Sequence, residues 1–116
     1  MRGRLVVTGV LAGVFLLPTA SLGDTFNVRA TEDDTWRPAT REIHRGDKVV
    51  WRNPTDDLHN VTAYGSNWDK SSNLAPGTTT SKRFRRRGTY KYVCTIHGQV
   101  EGGQCEGMCG RIRVLR

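Results

Sequence analysis

Past residue 24 the chain carries no helical stripe. Its apolar residues fall into short runs broken at glycine, proline or asparagine. Thr25-Phe-Asn-Val-Arg-Ala30 alternates apolar and polar side chains, as a half-buried strand does. Pro38 interrupts residues 36–40 and confines them to an edge or a crossing segment, because proline cannot donate to a ladder. Residues 41–45 lead to a turn at Gly46-Asp47; residues 48–52 follow, and Asn53-Pro54 stops them. A strand is expected from His59 to Tyr64, closed by Gly65, and then an irregular connection over residues 66–77. Residues 78–84 and 89–94 read as strands joined by an arginine-rich turn and Gly88, and residues 110–115 as the last strand. About six to eight short strands, with no repeat or linker, predict a single all-β domain, a sandwich or barrel.

The first 23 residues read differently. Met1-Arg-Gly-Arg4 is a short basic start, Leu5 to Leu17 is apolar, and Pro18-Thr-Ala-Ser-Leu-Gly23 offers small residues for cleavage. The apolar run, roughly 13 residues, is shorter than the ~20 that span a bilayer. A cleaved signal peptide over residues 1–23 is therefore expected rather than a membrane anchor. The product would be a secreted or periplasmic domain over residues 24–116. No cysteine near the cleavage region suggests a lipid anchor.

Removing Arg2 and Arg4 from the 18 lysines and arginines leaves 16 against 11 acids, so the formal charge falls from +7 to +5. The excess clusters in Lys82-Arg-Phe-Arg-Arg-Arg87. Such a run can bind nucleic acid, but export and the lack of a nucleic-acid fold signature argue against that. A solvated strand edge is the simpler reading, and an acidic redox partner steered by the field is the functional one. No Ser-His-Asp set, HExxH, P-loop or carboxylate pair stands out, and an enzyme is not expected. A monomer is.

The chemistry concentrates in four side chains. Cys94 ends a run in which Tyr90, Tyr92 and Cys94 share one face, and His97 follows across a turn, so both can converge on one ion. His59 begins a separate strand, and Met108 opens the last. Two imidazoles, a thiolate and a weak thioether are the donor set of a mononuclear blue-copper electron-transfer site. If Cys94 is a ligand, Cys105 and Cys109 remain as a pair, and a disulfide between them requires the chain to fold back until the Cα atoms lie within about 7 Å. Otherwise Cys109 is a buried small hydrophobe and Cys105 a free thiol. A closed zinc site from Cys94, His97, Cys105 and Cys109 is the competing metal reading. A binuclear copper centre would need a histidine and a methionine after Cys109, and only Arg-Ile-Arg-Val-Leu-Arg follows Gly110.

These motifs resemble the cupredoxins, the small blue copper proteins of the plastocyanin, amicyanin and azurin type. The resemblance runs from Phe26 to Val114. It rests on Trp36-x-Pro38, Ile43-x-x-Gly46-Asp47-x-Val49-x-Trp51-x-Asn53, His59-Asn60-Val61, Phe84-x-x-x-Gly88-x-Tyr90-x-Tyr92-x-Cys94-x-x-His97 and Met108-x-Gly110-x-Ile112-x-Val114. It implies a Greek-key β-sandwich with one copper at its end. His59, Cys94 and His97 would be equatorial ligands, Met108 axial, and the edge of His97 the exit for single electrons to partner proteins. It also implies that Asn60 ties the His59 loop to the segment around Thr95. The residues between His97 and Met108, from Gly98 to Gly107, exceed the family's usual gap; they are glycine-rich and read as mobile. They leave Gln104 or Gln99 open as axial donors in place of Met108. A copper-delivery protein without a redox circuit is the alternative function.

Overall fold

The structure is a computed structural model that describes residues 23–116; the signal peptide expected over residues 1–23 lies, apart from Gly23, outside the described residues. The described residues form nine strands: β1 Thr25–Ala30, β2 Trp36–Arg37, β3 Thr40–His44, β4 Lys48–Arg52, β5 His59–Tyr64, β6 Ser71–Leu74, β7 Thr79–Arg83, β8 Gly88–Glu101 and β9 Gln104–Leu115. They make two sheets, one ordered β2-β1-β4-β7 and the other β3-β9-β8-β5-β6. The all-β Greek-key sandwich expected from the sequence is the observed architecture. No helix among the described residues is long and apolar enough to cross a membrane.

Most of the expected strand positions hold, and the two differences have physical reasons. Residues 66–77 contain the extra strand β6, which adds to the edge of β5 with Asn60 opposite Asn73 and Val61 opposite Ser72. Ser71-Ser-Asn-Leu74 has no β-branched or aromatic residue, so the pairing rather than intrinsic propensity makes it a strand. β8 and β9 also run on past the expected boundaries. The segment read as mobile is an ordered hairpin, with Gly98 opposite Gly107, Gln99 opposite Glu106, Val100 opposite Cys105 and Glu101 opposite Gln104. Gly102 and Gly103 close it with φ of +57° and +78°, both positive as a two-residue type I′ turn requires.

The alternation of each strand places its apolar face inward. Val28, Ala30, Trp36, Val49 and Trp51 from one sheet meet Ile43, Val61, Tyr92, Ile112 and Val114 from the other, with Trp68 and Phe84 filling one side. Tyr92 stands edge-on to Trp36 and Trp51, at 5.6 and 5.4 Å between ring centroids. It can do so because Gly110 lies opposite it: a Cβ there would sit 2.4 Å from the tyrosine ring. Burial pushes the Tyr92 hydroxyl well above its ordinary pKa.

Cys105 and Cys109 form the expected disulfide, with Cα atoms 6.2 Å apart although both lie on β9. In a straight strand, four residues apart means about 13 Å, so β9 folds back on itself between them. Closing so small a ring stabilises by about 2 kcal/mol on the loop-entropy relation. Urea unfolding of Cys105→Ser/Cys109→Ser should show a loss of that size; no loss would mean the ring is held equally well by the hairpin.

Candidate metal centre

β8 leaves the ladder where it carries Cys94 and His97. Val93 pairs with Cys109 and Gly98 with Gly107, so residues 94–97 on β8 stand opposite Met108 alone. This bulge lifts Cys94 and His97 off the sheet and turns them toward the start of β5. His59 is the first residue of β5, fully buried, and reaches the same point from the neighbouring strand. The Cys94 Sγ lies 3.8 Å from His59 Nδ1 and 3.6 Å from His97 Nδ1. The three donor atoms all lie within 4.8 Å of one another.

These separations can be tested against a metal. With metal–nitrogen near 2.0 Å and metal–sulfur near 2.3 Å, a trigonal plane sets nitrogen–sulfur separations of about 3.7 Å. The observed pair brackets that value. Cys94 is the only free cysteine and is buried, so its sulfur is available to a metal. The donor set therefore fits copper. The closed zinc reading fails, because Cys105 and Cys109 are joined to each other.

The candidate donors are fixed from behind by hydrogen bonds. Thr55 Oγ1 lies 3.1 Å from His59 Nε2, which leaves Nδ1 facing the thiol. Thr55 is itself held by Asn53, whose Nδ2 donates to the carbonyls of Asp57 and Leu74 at 2.7 Å each. Burial first, then the positive charge available on His97, lowers the His59 pKa and keeps the ring neutral, the form that ligates. Asn60 bridges as expected: its Nδ2 donates to Thr95 Oγ1 at 2.9 Å, and its Oδ1 accepts from the Thr95 amide at 3.1 Å. His97 is less enclosed. Its Nε2 faces Asp34 Oδ1 at 3.6 Å, beyond hydrogen-bond range but close enough for a direct charge interaction.

Met108 is fully buried and packs in the core cluster that contains Cys94, opposite the ligand bulge. Gln99 and Gln104 are exposed on the hairpin, and Gln104 sits beside its tip. Thr55 and Asp34 were not singled out from the sequence. Thr55 had a faint signal, four residues before His59 and just after the Asn53-Pro54 stop; Asp34 had none, because its loop meets the site only in the fold.

Comparison with known proteins gives the same picture. A family model for copper binding proteins of the plastocyanin/azurin family matches residues 25–115. Among solved structures, a purple cupredoxin from Nitrosopumilus maritimus superposes with a TM-score of 0.60 at 23% identity, covering 77% of this chain and 98% of its own. A reduced amicyanin variant gives 0.64 at 23% identity, with 78% and 82% covered. The copper-containing nitrite reductase of Thermus scotoductus gives 0.63 at 21% identity, with 94% of this chain but only 25% of that much longer enzyme. At these identities the structures speak for the fold, and the match over residues 25–115 speaks for descent: the chain belongs to the plastocyanin/azurin family of copper-binding proteins.

Proposed function

We propose that this protein is an exported carrier of single electrons, with one copper that His59, Cys94, His97 and Met108 would hold. The observation that carries this reading is the spacing of the sulfur and the two Nδ1 atoms, 3.8 and 3.6 Å, which suits a trigonal site. Copper supplies the one-electron couple between Cu(I) and Cu(II). The chain's own residues do the rest. Thr55 and Asn60 hold the ligand loops still, so the donors need not rearrange when charge changes. The apolar packing of Met108, Trp36 and Tyr92 beneath the site excludes water from its inner side. His97, with 22% of its side chain exposed, offers the route out.

Export is supported by the signal-like sequence of residues 1–23 and by the disulfide, which suits an oxidising compartment. The nitrite reductase likeness covers a quarter of that enzyme and is consistent with a shared fold module. Protein loaded with Cu(II) should show an intense thiolate band in the visible range, bleached by ascorbate and restored by hexacyanoferrate(III) over many cycles. A colourless or slowly reduced adduct would instead favour copper delivery.

A further inference from the structure

The outward face of the five-stranded sheet reads in rows across β3, β9, β8 and β5. The middle row is Thr40, Arg111, Lys91 and Tyr64. On one side of it stand Glu42, Arg113 and Thr89, and on the other Cys109, Val93 and Thr62. The rows differ in how their side chains are matched. Arg113 donates to Glu42 at 2.7 Å, an ion pair between β9 and β3. Val93 lies outside the core cluster yet is only 3% exposed. The β8–β9 hairpin covers it: a Cβ on Gly98 would sit 3.0 Å from its Cγ2, and Cys109, its partner across the ladder, is tied to Cys105. The middle row sets the cations Lys91 and Arg111 directly opposite one another.

Like charges at opposed positions of an antiparallel pair are destabilising. The Tyr64 ring, 5.5 Å from the Lys91 Nζ, offsets part of the cost for the ammonium. Arg111 donates through Nε to Thr40 Oγ1 at 3.1 Å. Neither cation forms an ion pair among the described residues, and the terminal guanidinium nitrogens of Arg111 have no acceptor there. The returning hairpin builds a wall beside them. Gly103, Gln104 and the Cys105–Cys109 disulfide join the middle row in lining a cleft of about 400 Å³, with no carboxylate in its lining. That volume lies in the range of small-molecule sites. A local rule broken without compensation marks a functional position more often than a structural one. We propose that this cleft binds a small oxyanion carrying two negative charges, of the phosphate or dicarboxylate kind. Arg111 presents a planar fork suited to two oxygens of one group, and Lys91 adds a point charge from the facing strand. The Gln104 amide offers a further donor from the hairpin wall. None of His59, Cys94, His97 and Met108 lines the cleft, so binding there needs no metal.

Two measurements test this. In the first, isotope-labelled protein is titrated with sodium phosphate above neutral pH and at fixed ionic strength, followed by NMR. The amides of Gln104, Gly110 and Arg111 should shift saturably, with a Kd on the order of a millimolar. A parallel titration with malonate separates the two sources. Saturation by phosphate alone assigns a phosphate, by malonate alone a dicarboxylate, and by both a cleft that reads charge rather than shape; each supports the site. Lys91→Gln and Arg111→Gln should each weaken binding at least about fivefold. Arg113→Gln, on the same face but paired with Glu42, should leave it within about twofold. Shifts that grow without saturating, or that centre on the basic depression of Arg45, Arg85 and Arg116, would overturn the proposal. So would an Arg113→Gln variant that weakens binding as much as Lys91→Gln. The second measurement is urea unfolding. About 10 mM phosphate should raise the midpoint of the parent protein more than that of Lys91→Gln, because only the parent holds the complete site. Equal rises would overturn the site even if the variants' spectra were too altered to titrate.

Discussion

Cys94→Ser should lose the visible thiolate band completely and weaken Cu(II) binding by at least about a hundredfold, while Cys105→Ser keeps the band. The argument is one of donor chemistry. Cys94 is the sole free sulfur and stands between two imidazole nitrogens, whereas Cys105 is tied to Cys109 on the far side of the β9 fold-back. A serine hydroxyl is a hard donor that stays protonated near neutrality, so the soft covalent bond is lost and only the two imidazoles remain. Absorption spectra and a competition assay with a chelator read both effects. A band surviving in Cys94→Ser would place the metal elsewhere. The fold should tolerate the change, since a serine is no larger than the cysteine it replaces and can donate to the same ring nitrogens.

Gly107→Ala should be the most disruptive single change in the hairpin, by about 3 kcal/mol or more. Gly107 has φ of +92°, and a Cβ there would lie 2.4 Å from the His97 carbonyl oxygen and 2.8 Å from the Gly98 Cα. The left-handed backbone penalises alanine by about 1–2 kcal/mol, and overpacking adds about 1–3 kcal/mol. Backbone atoms cannot rotate aside as a side-chain tip can, so relief must come from separating β8 from β9 beside His97. Gly102→Ala is the natural comparison: φ is +57° there but the space is open, and only the backbone penalty applies. Urea unfolding should separate the two variants clearly in midpoint. The copper spectrum should change in Gly107→Ala alone, because the separation also moves Met108. Equal losses in both variants would show that the close approach is dispensable.

The convergence of Cys94, His97 and His59 was legible in the sequence because this combination of residue types is rare and its positions are strand ends: Tyr90, Tyr92 and Cys94 on one face, His97 across the bulge, His59 opening β5. The place of Met108 was harder to see. Ten residues separate it from His97, and their glycines suggested a mobile loop. Cross-strand pairing and a tight glycine turn order them instead, and the fold-back closed by Cys105 and Cys109 returns Met108 to the interior. Strand β6 escaped notice because its residues take their conformation from a neighbour. Asp34 could not be read at all, since its contact with His97 joins residues 63 positions apart. Local pattern reports what a segment prefers; it is silent about which loop tips the sheet order brings to one end. The charge run at residues 82–87 shows the same limit: its existence was plain, but its distance from the site was not.

The sheet borders carry a consequence for how the molecule behaves in a crowded compartment. β2 and β7 flank one sheet, β3 and β6 the other. β2 is two residues long, β6 is Ser-Ser-Asn-Leu, β7 is Thr-Thr-Ser-Lys-Arg, and β3 exposes Thr40, Glu42 and His44. Each border is too short, too polar or too charged to template another strand. Self-association through backbone pairing is thereby discouraged, and we expect molecules to collide and part singly. An electron carrier of the kind proposed above would need that independence as much as it would need its metal.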